Sequence, residues 1–331
     1  MLIEPNMNAQ FSLPTQVKLA VFQTSFELKE FLAVPEMAKL LQDTCLKGGK
    51  RVRPALCYLM SGVLGFPLKQ TKLYARSAEF VHSASLAHDD VLDEATTRRG
   101  KPTLNEAASN KKAILAGDLL LARVIAEITL ETPRAVIIEL AQTIEELVQG
   151  EWLQAEAVGV ANISPKHLET VASLKTASLI RWCFVAPALS VPIPNGALID
   201  LCRDLGTSTG LAFQMVDDVL DFDESSGKDF AKDLREGLIN TVSAEMLESD
   251  SSYRTHLEKI GVQEWSNPFW SKSALEQAKA KVRAKAQFQI KNSQIYLQEI
   301  ANIALVSGNK EQMIFFESFN QALNAIGARK I

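Results

Sequence analysis

The pentapeptide Asp-Asp-Val-Leu-Asp occurs twice in this chain, at 89–93 and at 217–221. On an α-helix each residue advances about 100°, so Asp89 and Asp93 stand about 40° apart on neighbouring turns while Asp90 projects roughly 100° away. Asp217 and Asp221 repeat that geometry, with Gln214 on the same side. Two carboxylates held ~6 Å apart at an effective dielectric near 20 repel by roughly 3 kcal/mol, so each pair calls for a counter-charge. Oxygen-only ligands suit a hard cation, and a pair on adjacent turns matches Mg²⁺ bound together with substrate phosphates better than a closed Ca²⁺ cage. A solvated acidic face would explain one such cluster equally well. Two identical clusters, both inside apolar helix ("FVHSASLAHDDVL" and "GLAFQMVDDVLDF"), favour the metal.

Basic groups accompany the acidic ones. "EATTRRGKPT" places Arg98 and Arg99 just after the first box, "GGKRVRP" supplies Lys50, Arg51 and Arg53, "LKTAS" joins Lys175 to Thr176, and "SSGKDFAKDL" carries Lys228 and Lys232. Guanidinium forks and lysine point charges are the groups that grip a diphosphate. "GGKR" is no P-loop, because the G-x-x-x-x-G-K-[ST] spacing is missing. His82 precedes Asp89 by seven residues and so lies within about 20° of its face. No Ser-His or Cys-His arrangement points to a protein nucleophile.

The elements that must position these groups read as helices. Between prolines the chain is filled with Ala, Leu, Glu, Lys and Gln, and apolar residues recur at three- and four-residue steps over 69–94, 113–132 and 135–157. Thr71, Asn110 and Ser164 are the expected helix starts, Ser164 with Pro165 at the first helical position. The tail from Ser266 holds one strongly helical block. Strand and hairpin signals are almost absent, so the expected class is all-α. No linker appears, and residues 1–331 are expected to form one domain. The helices at 113–130 and 135–158 carry more apolar residues than one buried stripe needs, which suits a subunit interface.

A formal net charge of −4 and a pI near 5.7 lack the basic excess of a nucleic-acid binder. Cys45, Cys57, Cys183 and Cys202 form no C-x-x-C pair and read as reduced thiols. The start shows neither a basic region nor an apolar core of a signal peptide, and no stretch is apolar enough to span a bilayer. A soluble, cytoplasmic protein is expected.

"GGKRVRP", "HDDVLDEATTRRGKPT", "GDLLLAR", "LKTASL", "FQMVDDVLDF" and "GKDFAKDLREG" stand in the order and approximate spacing of the trans-polyprenyl diphosphate synthases, which the chain resembles from about Gly48 to Gly237. The resemblance implies a single large helical bundle around a central cavity, usually a homodimer, that joins isopentenyl diphosphate head-to-tail to an allylic diphosphate with three Mg²⁺. It places Asp89 and Asp93 on two ions gripping the allylic diphosphate, and Asp217 with Asp221 around a third. Arg98 would bind the allylic diphosphate. Lys50, Arg53, His82 and Arg99 would hold isopentenyl diphosphate, while Lys175, Thr176, Gln214 and Lys228 support the allylic group and its departing diphosphate.

In this family small side chains just upstream of the first box leave room for a long product. Here those positions, four and five residues before Asp89, are Ser85 and Ala84, about 6–7.5 Å deeper along the helix. The resemblance therefore points beyond geranylgeranyl length, unless Leu119, Leu120 or Val124 on the next helix plugs the tunnel. One departure stands out. The family commonly reads D-L-x-x-G-K-x-T-L-P where this chain has "DLREGLINTVS", with Leu238 at the expected lysine; Lys232 is a candidate substitute. Two other readings compete: a class I terpene cyclase, which binds one diphosphate and would not need both basic groups, and a non-catalytic subunit, whose acidic boxes should be eroded.

Overall fold

The computed structural model of the chain describes residues 13–28, 34–98, 100–223, 230–267, 270–305 and 309–328. Helix α1 (Thr15–Gln23) is followed by α2 (Pro35–Leu41), which continues through a π-helical turn at Gln42–Leu46, then by α3 (Val52–Val63) and the long α4 (Leu68–Leu92). A two-residue antiparallel ladder, β1 (Thr97–Arg98) with β2 (Lys101–Pro102), and the single turn α5 (Leu104–Ala107) lead to α6 (Asn110–Glu131) and α7 (Arg134–Glu156). Next, α8 (Pro165–Ala172) passes through a second π turn, Ser173–Ala177, into α9 (Ser178–Ala188) and then α10 (Gly196–Asp221). The remaining helices are α11 (Lys232–Arg235), α12 (Thr241–Ser249), α13 (Ser251–Leu257), α14 (Lys272–Ala304) and α15 (Lys310–Gly327). The protein is all-α, as expected. The ladder of Thr97–Arg98 with Lys101–Pro102 is an addition that no hairpin signal announced.

The chain divides into two compact units. The first comprises Met1–Ile144, Trp182–Asp200 and Ile300–Phe319. Here α4 packs against α3 and α6. The face that α6 buries, Ala113, Ala116, Gly117, Leu120, Val124 and Ile128, follows the three- and four-residue steps read from the sequence. A Cβ at Gly117 would lie 2.2 Å from the His88 ring, so the imidazole occupies the space that glycine leaves. Ile114, Leu115, Ile125 and Leu130 on α6 stay exposed.

The second unit comprises Glu145–Arg181, Leu201–Glu299 and Asn320–Ile331. Its core gathers Phe222, Leu234, Met246, Trp265, Trp270 and Val282, with Phe222 edge-on to Trp270 at 5.8 Å. Two glycines one turn apart draw α10 onto the chain around the second π turn. A Cβ at Gly206 would fall 2.3 Å from the Arg181 Cα, and one at Gly210 2.3 Å from the Ala177 Cα. Backbone thus meets backbone, and the next turn of α10 carries Gln214 alongside Thr176.

Helix ends refine the expectations. Ser164 caps α8 by accepting from the His167 N–H at 3.1 Å, with Pro165 in first position. Thr71 caps nothing: α4 begins three residues earlier, and the Thr71 hydroxyl bonds back to the Pro67 carbonyl at 3.2 Å. The cap of α6 is Ser109, one residue before Asn110. At its other end α4 closes in a Schellman motif, in which the Ala95 N–H donates to the Asp90 carbonyl at 2.9 Å and Glu94 takes the left-handed conformation at φ 49°. All four cysteines are free thiols, with Cys57, Cys183 and Cys202 buried. No helix among the described residues is long and apolar enough to cross a membrane.

Candidate active site

The first box closes α4. Asp89 is half-buried, Asp93 is exposed as the capping residue, and the Asp93 N–H donates to the Asp89 carbonyl at 2.8 Å, so the two side chains rise from successive turns. Asp90 does something else. It is buried, and its Oδ1 accepts from Arg98 Nε at 2.8 Å and Nη2 at 2.7 Å. The Arg98 guanidinium, half-buried, is thereby held at the base of the ladder. Arg99 lies outside the described residues.

Upstream, Gly48 and Gly49 take φ of 90° and 84°, and Arg51 follows at 49°. That turn sends Arg51 inward, where it is ion-paired with Glu79, donates to the Leu46 carbonyl and lies 4.2 Å over the Phe26 ring. A buried arginine that shares its guanidinium between a carboxylate and a backbone carbonyl ties the loop to α4. Lys50 on one side stays exposed, and Arg53 on the other is half-buried. A recess of about 220 Å³ has Gly48, Gly49, Asp90, Arg98 and Lys101 in its lining, so the glycine loop and the ladder share one wall. His82 is half-buried on α4; Ser85, also half-buried, donates to its carbonyl at 2.9 Å, and Ala84 is fully buried. Leu120 and Val124 are buried on α6, and Leu119 is half-buried.

In the second unit Lys175 and Thr176 lie on the π turn, a geometry frequent at functional sites because it reorients side chains within a helix. Lys175 Nζ pairs with Glu151 at 2.5 Å. The Thr176 hydroxyl donates to Gln214 Oε1 at 2.6 Å, and Gln214 Nε2 donates to Asp218 Oδ1 at 2.8 Å. Asp218 Oδ2 accepts from the Thr241 N–H at 3.0 Å and from its hydroxyl at 2.6 Å. Asp217 is half-buried. Asp221 is buried and holds the chain that follows: its carboxylate accepts from the Lys232 N–H at 3.0 Å and the Asp233 N–H at 3.4 Å. Burial, and then the charge of Asp233, push Asp218 up to about 6 and raise Asp221 as well. Lys232 Nζ reaches Glu236 at 2.9 Å, and Leu238 is half-buried. Lys228 lies outside the described residues.

Asp90, Asp218 and Glu151 were missed in the sequence. The two aspartates are the second residue of each box, set aside because they point off the shared face; that divergence was the available signal.

The donor set fits a divalent cation. Each box ends a long helix, of 25 residues for α4 and 26 for α10, and so sits at the negative pole of the helix dipole, where anions are disfavoured and cations favoured. Among the described residues no three or more His, Cys, Asp or Glu side chains form a metal site by themselves. Mg²⁺ does not ask for one, since it is commonly held by one or two carboxylates plus phosphate oxygens and water.

The fold is that of the isoprenyl diphosphate synthases: over 95% of this chain and 97% of the other it matches the crystal structure of a decaprenyl diphosphate synthase from Rhodobacter capsulatus, with a TM-score of 0.77 and 25% identity. The chain belongs to the polyprenyl synthetase family, whose sequence model matches residues 34–277. Among curated proteins it is 41% identical over 197 residues to a decaprenyl-diphosphate synthase of Dictyostelium discoideum, covering 57% of this chain and 42% of that protein. It is 35% identical over 196 residues to the octaprenyl diphosphate synthase of Escherichia coli, covering 57% and 59% respectively. The chain spans about half the length of the curated relatives it matches.

Proposed function

We propose that this protein is a Mg²⁺-dependent prenyltransferase that condenses isopentenyl diphosphate with an allylic diphosphate to a product longer than geranylgeranyl. The observation that carries the reading is the placement of an aspartate pair at the C-terminal end of both α4 and α10, each needing a cation that a diphosphate can share. Family membership and the long-chain names of the relatives support it. Asp89 and Asp93 would hold two ions, and Asp217 with the remaining lone pairs of Asp221 a third. Bound Mg²⁺ would neutralise the charge that develops on the departing diphosphate.

The chain's own groups do the rest. Arg98, oriented by Asp90, would grip the allylic diphosphate with Lys175 and Lys228, while Lys50, Arg53, His82 and Arg99 hold isopentenyl diphosphate. Thr176 and Gln214 present oxygen dipoles to the positive charge left on the allylic carbon when its C–O bond breaks. The isopentenyl double bond attacks that carbon, and the released diphosphate takes the final proton. We place the reaction in one domain of a cytoplasmic homodimer, consistent with the free thiols and the exposed apolar side chains of α6.

Leu238 favours one other reading, a non-catalytic subunit with a weakened second box. Incubating the purified chain alone with farnesyl diphosphate, labelled isopentenyl diphosphate and Mg²⁺ separates the two. Elongated, labelled diphosphates are expected; their absence, with activity restored only by a second protein, would establish the subunit instead.

A further inference from the structure

An amide side chain has a donor end and an acceptor end of nearly the same shape, and its partners decide which faces where. For Gln214 the deciding partner is Asp218. A carboxylate has no proton to give, so its Oδ1 can receive only the amino end of Gln214, at 2.8 Å. Asp218 cannot turn away to relax this, because its Oδ2 is held by both the N–H and the hydroxyl of Thr241 at the start of α12. The carbonyl end of Gln214 is then left for Thr176, whose hydroxyl proton it accepts at 2.6 Å. Along this chain the protons run toward Asp218, and the lone pairs of the Thr176 and Gln214 oxygens remain exposed to other charge.

The geometry points to Asp218 as a positioning residue that locks the Gln214 amide so that Gln214 and Thr176 offer oxygens rather than protons to a developing carbocation. This rests on the prenyl-transfer reading for its catalytic consequence, though not for the lock itself. A reversed amide would give N–H to Thr176, turn the hydroxyl proton outward and replace attraction by repulsion. Asp218 is buried and one turn beyond Gln214, so it acts through the amide and not on the substrate.

The test compares Asp218→Asn, Gln214→Glu and the double variant. With Asp218→Asn, the two Thr241 donors claim the introduced oxygen, the introduced amino group faces Gln214, and the Gln214 amide must flip. We expect kcat to fall by about ten-fold or more, the scale for losing an oriented dipole, while the KM of each diphosphate stays within about three-fold. Gln214→Glu alone sets two carboxylates face to face and lowers Tm. In the double variant the new carboxylate accepts from both the introduced amino group and Thr176, so an oxygen returns to its place. Its loss of Tm should be smaller than the sum of the two single losses, and its kcat should rise above that of Asp218→Asn. Additive melting temperatures would overturn the lock, and a double variant as slow as Asp218→Asn would overturn its catalytic role. If the parent protein makes no prenyl product, the functional reading fails while the melting data still decide the lock.

Discussion

Asp218 keeps its proton to about pH 6 in the folded chain because it is buried and faces Asp233. In the unfolded chain it would lose that proton near pH 4. The sign follows: below about 4 the group contributes nothing, and as pH rises toward 6 the unfolded chain releases the proton first, so folding is progressively penalised. In metal-free buffer, thermal stability is therefore expected to decline between about pH 4 and pH 6, and Asp233→Asn to flatten that decline. Equal slopes for parent and variant would show that Asp233 is not the source. Tunnel depth is a second residue-scale matter. Ser85→Phe, at a half-buried position that can accept a ring, should shorten the product, as should Ala84→Phe at some cost in stability from overpacking. Unchanged product lengths on chromatography would assign the floor to Leu119, Leu120 or Val124. That Asp89 with Asp93, and Asp217 with Asp221, would lie on helices was legible, because a four-residue repeat of one charge type in an apolar helical run has a direct geometric meaning. Asp90 and Asp218 were not, since their partners, Arg98 and Thr241, lie 8 and 23 residues onward across turns that no local pattern describes.

Helices were the most legible elements, and their ends the least. The apolar steps along α6 reappear as its buried face, whereas Thr71 was misplaced because its hydroxyl satisfies a carbonyl of its own helix. The two π turns left no trace in the periodicity, being one residue wide in effect, yet one of them carries Lys175 and Thr176. The Schellman end of α4 escaped notice because its left-handed position holds Glu94 and not glycine. That choice has a measurable cost. A left-handed L-residue is disfavoured by roughly 1–2 kcal/mol, part of which glycine returns through its greater freedom when unfolded, and Glu94 also adds negative charge to the negative end of a helix. Because Glu94 is exposed, Glu94→Gly removes no packing and should stabilise the protein by about 1 kcal/mol in denaturant unfolding. A loss of stability would show that the Glu94 side chain makes up for its backbone.

At the scale of the molecule, composition set the class and the motifs set the family, but neither described the two compact units, which arise from contacts between segments far apart in sequence. The apolar excess on α6 was visible in the sequence and remains visible on the surface as Ile114, Leu115, Ile125 and Leu130, the last 85% exposed. If these side chains meet a second copy, Ile125→Glu should leave helix content unchanged and convert a dimer to a monomer by sedimentation, since an unpaired charge in such a contact costs about 2 kcal/mol or more. A variant that still sediments with the parent would place the interface elsewhere.

On the proposed function, the position of both aspartate boxes at helix carboxyl ends would also set how ligands arrive. An allylic diphosphate meets like charge at either box, so titrating it in the presence of a chelator should release far less heat in calorimetry than with the metal present. With millimolar magnesium the same injection should bind tightly, and the ion should in turn bind better once diphosphate is there. On the proposed reading loading would then be a joint event, with free magnesium a gate on occupancy before any bond is broken.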